Sequence, residues 1–116
     1  MFKSELIVRE MPHSHREWML AGDLEYQGNE DMFKVPWGFV TNFASVPRMF
    51  WSIVSPWDKH MKAAVVHDYC YKTGCVSRLD ADGIFRRMMK ELGVSWWRRQ
   101  AMYRAVRLFG GSHYKK

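Results

Sequence analysis

Three stretches in the first part of the chain mix β-branched and aromatic residues with alternating polar ones. SELIVREM (4–11), WMLAGDLEY (18–26) and MFKVPWGFVTNF (32–43) carry this pattern of half-buried strands. HSHRE and QGNED, which separate them, are turn-like, so the pattern predicts a small antiparallel sheet over about residues 1–45. Pro36 and Gly38 interrupt the third run and predict an edge, a bulge or a loop there. Pro47 and Pro56 break up the aromatic connector SVPRMFWSIVSPW that follows.

After the connector the period changes. KHMKAAVVHDYCYK is rich in helix formers and predicts a helix over about 58–73, with Gly74 as the residue that ends it. SRLD then reads as a capping box, with Ser77 as N-cap and Asp80 in place of the usual Glu, opening a second helix that runs to Leu92 before Gly93. A third helix starts at Ser95 and stops at Gly110 and Gly111. No repeat, low-complexity segment or linker divides the chain, so the reading is one α+β domain over residues 1–116, a sheet followed by a three-helix unit at about 58–110.

Composition agrees with a folded unit. Of 116 residues 47% are apolar, with six Trp, seven Phe and nine Met, enough bulky surface for one core and unlike a disordered chain. A formal charge of +6 favours acidic partners without choosing among nucleic acid, anionic lipid and a polyanionic neighbour. No zinc-finger, RNP or helix-turn-helix pattern is present, so a nucleic-acid partner is not expected. The first ten residues, MFKSELIVRE, carry acids unlike a secretory signal, and no run reaches a membrane span, so a cytoplasmic protein is expected. Cys70 and Cys75 bracket a predicted helix end; a disulfide is at odds with a reducing compartment, and with His67 they make three zinc ligands where four are needed, so no zinc is expected.

The chemistry concentrates in AVVHDYCYKTGCVSRLDADGIF (64–85). At helical spacing His67 shares a face with Ala63, Ala64, Cys70 and Tyr71, small or amphipathic residues that admit a second helix, so His67 is expected to look inward. Asp68 lies about 100° further round, beside Met61, Val65 and Lys72. Asp82 lies in line with Phe85, Met89 and Leu92, where a carboxylate costs several kcal/mol unless it finds a donor. Joined by the short TGCV turn, the two helices should pack antiparallel and bring Asp82 opposite His67 or Tyr71. Two readings are open. In one, His67 removes a proton from water, a carboxylate fixes its tautomer, and the other carboxylate holds a cation. In the other, His67 and Asp82 satisfy each other in a polar pocket and Asp68 makes a surface ion pair with Lys72.

HDYCY followed by DADGIF resembles the active-site helices of the phospholipase A2 superfamily, above all its short, disulfide-poor bacterial and parvoviral versions. The resemblance implies a phospholipase A2-like antiparallel pair with His67 as general base, Asp82 orienting it, Tyr71 as a supporting donor and Asp68 as a calcium ligand. It implies a calcium-dependent hydrolase of glycerophospholipid esters, whose other cation donors would come from WGFVTNFASV, through the backbone at Gly38 and the side chain of Asn42. VPWGFVTNFASVPR, AAVVHDYCY, ADGIF and MYRAVRLFGG, in that order, also resemble a family of small tailed-phage and prophage proteins. That implies action at a phospholipid membrane surface or among other virion proteins, in the host cytoplasm or the virion. The alternative function is a non-catalytic tail-associated or assembly protein that binds through the same scaffold.

Other features carry paired readings. SWWRRQAMYRAVRLFGG suits a helix with aromatics in the core and a solvated basic face, or one lying on an anionic bilayer. Met49, Phe50, Trp51, Ile53, Val54 and Trp57 suit core or the wall of an acyl pocket. His13, His15 and His60 read as exposed.

Overall fold

The computed structural model describes residues 2–10, 18–28, 32–41 and 61–114. Asn42, the cluster between Met49 and Trp57, and His13, His15 and His60 lie outside these. The chain forms two compact units, Met1–Asn42 and Phe43–Lys116. The architecture is α+β, antiparallel strands followed by helices.

In the first unit the predicted strand runs divide. β1 (Val8–Glu10), β2 (Trp18–Leu20) and β5 (Val40–Thr41) make one antiparallel sheet in the order β1-β2-β5, while β3 (Leu24–Gln27) and β4 (Met32–Val35) make a separate antiparallel pair. WMLAGDLEY is therefore two strands, not one, and Asp23 holds the corner between them. Its carboxylate accepts from the Trp37 amide at 2.7 Å and its carbonyl from the Ser4 hydroxyl at 3.2 Å. MFKVPWGFVTNF divides at Pro36, which has no N–H for a ladder, and Gly38 takes φ +91°, which a side chain would strain. Across the β3–β4 register Leu24 faces Val35 and Tyr26 faces Phe33, and these four are buried while the residues between them are not.

The second unit is a run of three helices, α1 (Met61–Thr73), α2 (Arg78–Glu91) and α3 (Trp96–Phe109), closed by a 3-10 turn at Gly110–His113. Their limits follow local chemistry. Gly74 ends α1 at φ +66°, its amide returning to the Cys70 carbonyl at 2.9 Å. Ser77 caps α2, its Oγ accepting from the Asp80 amide at 3.1 Å. At the other end Gly93, φ +83°, donates to Lys90 and Val94 donates to Met89, the paired bonds of a Schellman stop, and Val94 is buried over it.

The core of this unit is asymmetric among the helices. α1 buries every residue from Ala63 to Asp68, so it is enclosed on all sides, as a helix without a solvated face must be. α2 contributes Ala81, Phe85, Met88 and Met89, and α3 only Met102, Ala105 and Val106. The aromatic residues of α3 do not make its core: Trp96, Trp97 and Phe109 are exposed. None of the described helices is long and apolar enough to cross a membrane. Cys70 and Cys75 are not bridged.

Replacing Ser77 with Ala removes the only side-chain acceptor shown at the α2 N-cap. Urea unfolding should register a loss of about 1 kcal/mol, and Ser77→Asp should restore it.

Candidate active site

Contacts between α1 and α2 run in opposite senses, Tyr71 meeting Arg78 while His67 meets Asp82 and Phe85, so the two helices are antiparallel. The four-residue link from Gly74 to Ser77 permits no other close arrangement. Asp82 then projects from α2 into α1. Its Oδ1 lies 2.7 Å from His67 Nε2 and accepts from the Tyr71 hydroxyl at 2.5 Å. Its Oδ2 accepts from Arg107 Nη1 on α3 at 2.8 Å. All three helices thus meet at one carboxylate, and neither His67 nor Asp82 is exposed at all.

The electrostatics fix the protonation pattern. Burial alone would raise the Asp82 carboxyl, but hydrogen bonds from His67 and Tyr71, the charge of His67 and the Arg107 guanidinium outweigh it and hold the group below its ordinary value. An ionised carboxylate only accepts, so His67 Nε2 must carry the proton between them. In the neutral ring the basic lone pair then belongs to Nδ1, the tautomer a general base requires. Tyr71 is pushed well above the usual phenol range, chiefly by burial and then by Asp82, despite the opposing Arg78, so it remains a donor. The His67 ring is packed by Tyr71 at 4.2 Å and Phe85 at 4.5 Å between centroids. Phe85 and Asp82 occupy one face of α2, so the residue that orients the ring and one that packs it move together.

Arg78 and Arg107 have no counterpart in the sequence expectations. Arg78 Nε donates to the Tyr71 oxygen at 3.2 Å, and its Nη2 to the carbonyls of Val106 and Arg107 at 2.7 and 2.6 Å, tying α2 to the end of α3. The Arg78 guanidinium passes close to Gly111, where a Cβ would meet Nη1 at 3.4 Å, an ordinary contact distance. The Tyr114 hydroxyl donates to the Val76 carbonyl, and its ring meets Tyr71 edge-on at 5.4 Å. Arg107 lies 25 residues from Asp82 among other arginines, so no local pattern marks it as the inward one.

Of the cation ligands that the resemblance implies, Asp68 and Gly38 lie among the described residues. Asp68 is buried rather than at the surface, with Lys72 Nζ 3.4 Å from Oδ2. Gly38 belongs to the first unit, where its amide donates to the Leu20 carbonyl, and Asn42 lies outside the described residues. Among the described residues no group of three or more His, Cys, Asp or Glu side chains is arranged to hold a metal ion. Calcium takes about six to eight oxygens, of which the Asp68 carboxylate would supply at most two.

Fold and site define an α+β protein built on a buried, carboxylate-held histidine between antiparallel helices. The chain belongs to the family described as protein of unknown function, DUF1353, which matches residues 18–106. An uncharacterized protein of Sinorhizobium fredii, y4jT, is 38% identical over 94 residues, 78% of this chain. The chain spans 28% of that relative's length. No solved structure matches.

Asp82→Asn tests the electrostatic account. With its oxygen toward His67 and Tyr71 the amide turns its NH2 on Arg107, and reversed it turns NH2 on the other two, so about 1–3 kcal/mol of stability should be lost at neutral pH. The native carboxyl titrates below the ordinary 3.8, so between those two values the unfolded chain binds more protons and stability rises with pH. Asp82 therefore contributes fully above about pH 3.8, and its share is lost as pH falls through the native value. Denaturant titrations from pH 6 to 2 should show that loss in the parent chain and lack this component in Asp82→Asn.

Proposed function

We propose that this chain is an ester hydrolase of the phospholipase A2 kind, with His67 as general base and a glycerophospholipid ester as substrate. What supports the reading is the His67 Nε2 to Asp82 Oδ1 bond of 2.7 Å, which leaves the basic lone pair on Nδ1. Water gives its proton to Nδ1 while its oxygen attacks the ester carbonyl. When the tetrahedral intermediate collapses, the C–O bond to the glycerol breaks and the imidazolium returns the proton to the leaving oxygen. Asp82 holds the ring and stabilises its charged form, and Tyr71 and Arg107 keep Asp82 ionised. Calcium dependence through Asp68, Gly38 and Asn42 belongs to this proposal as an implication of the resemblance. So does a phage origin, with host envelope phospholipid as the target and the virion or the host cytoplasm as the place of action.

A second reading has its own observation. Trp96 and Trp97 at the start of α3 and Leu108 and Phe109 at its end are exposed, with exposed Arg98 and Arg104 between them. This favours a non-catalytic virion or assembly protein that binds through α3.

Fatty-acid release from mixed zwitterionic and anionic vesicles, with calcium or with chelator, separates the two. Hydrolysis predicts release that is lost in His67→Ala, with helical circular dichroism retained. Asp82→Asn, which removes the charge that stabilises the imidazolium and, with its NH2 toward His67, selects the wrong tautomer, should lower the rate by about 10³-fold or more. Release that survives His67→Ala would contradict the proposal.

A further inference from the structure

A groove of about 390 Å³ lies between α2 and the start of α3, on a different face of α2 from Asp82. Gly83, Arg86, Arg87 and Lys90, at i, i+3, i+4 and i+7, line it from α2, and Trp96 and Arg99 from α3. Four cations therefore face one space. Glu91 partly neutralises Arg87 at 3.6 Å, and Arg86 is held by stacking over the Tyr103 ring at 4.3 Å, which fixes its guanidinium without removing its charge.

Two further features bear on what the groove takes. Gly83 sits inside α2, where glycine is unfavourable relative to alanine, yet a Cβ there would meet nothing within 4 Å. Packing does not require this glycine; its effect is to leave the groove floor open. At the other wall α3 begins with no acid in its first turn and no side-chain bond from Ser95, so its positive end reinforces the field. Trp96 is 67% exposed beside these charges and offers an indole face to whatever carries the anion.

We propose that this groove is a binding site for a phosphate-bearing ligand, held by Arg86, Arg87, Lys90 and Arg99 over Gly83, with Trp96 against its apolar part. Three guanidiniums, two on α2 and one on α3, suit the forked oxygens of a phosphate mono- or diester. The site does not depend on His67 chemistry, since its residues lie outside that centre.

The test uses the full chain and two sources of phosphate. The Trp96 indole and Arg99 Nε resonances are followed by NMR during titration with inorganic phosphate against chloride at equal ionic strength. In parallel, pelleting is measured with phosphatidylcholine vesicles, with and without phosphatidylglycerol. Saturable shifts with inorganic phosphate assign a free phosphate compound; pelleting only with phosphatidylglycerol assigns a lipid headgroup; either supports the site. In both cases Arg99→Gln or Lys90→Gln should weaken binding about tenfold, the loss of one charge-assisted hydrogen bond. Gly83→Leu should abolish binding by filling the floor without changing charge, whereas Gly83→Ala should melt higher than the parent. Arg104→Gln, an exposed charge of α3 outside the groove, should leave binding unchanged. Neither shifts nor anionic pelleting, or equal losses in Arg104→Gln and Arg99→Gln, would overturn the proposal.

Discussion

A carboxylate with no solvent exposure organises the helical unit. Removing an ionised group from water costs several kcal/mol unless donors replace the lost hydration. Asp82 recovers them from both sides, through His67 and Tyr71 of α1 and Arg107 of α3. The donors come from two different helices, so the register of α1 on α2 and the position of the α3 end answer to one requirement. Arg78 adds a second tie by bridging Tyr71 to the last carbonyls of α3. The same bonds that make the carboxylate tolerable fix the His67 tautomer, so stability and chemistry are not separable at this residue.

α2 serves two purposes on two faces. Asp82, Phe85 and Met89 turn inward, and Gly83, Arg86, Arg87 and Lys90 line the basic groove. Its capping is correspondingly complete, from Ser77 at one end to the Gly93 stop at the other. α1 has no such division, because its residues from Ala63 to Asp68 are all buried. Asp68 is thereby a buried carboxylate as well, and the ammonium of Lys72 is one of the groups that answers its charge.

The helices were legible because their ends are written locally, in Gly74, Ser77 and Gly93, which act through φ or capping bonds within a few residues. An inward His67 and a carboxylate needing a donor on the α2 stripe were also readable, since 3.6-residue periodicity shows which side chains share a face. The division of the strand runs into two sheets was not, because it depends on Asp23 capturing the Trp37 amide 14 residues away. Arg107 escaped for the same reason, its partner being set by how α3 returns rather than by its neighbours. The aromatic content of α3 suggested a core, whereas its small buried set, Met102, Ala105 and Val106, lets the helix pack closely and leaves the tryptophans outside. Family membership is clear from the sequence itself, but the matched family carries no described activity, so the chemistry rests on the arrangement of these side chains.

The central claim, that Asp82 holds His67 by accepting its Nε2 proton, is open to direct observation. Long-range ¹H–¹⁵N correlation spectra of the histidine rings, assigned through a His67→Gln variant, should show a proton on Nε2 of His67 that is shifted downfield and exchanges slowly, and that downfield shift should be lost in Asp82→Asn. A ring whose Nε2 is unprotonated in the parent chain, or whose signal is unchanged by Asp82→Asn, would contradict the account.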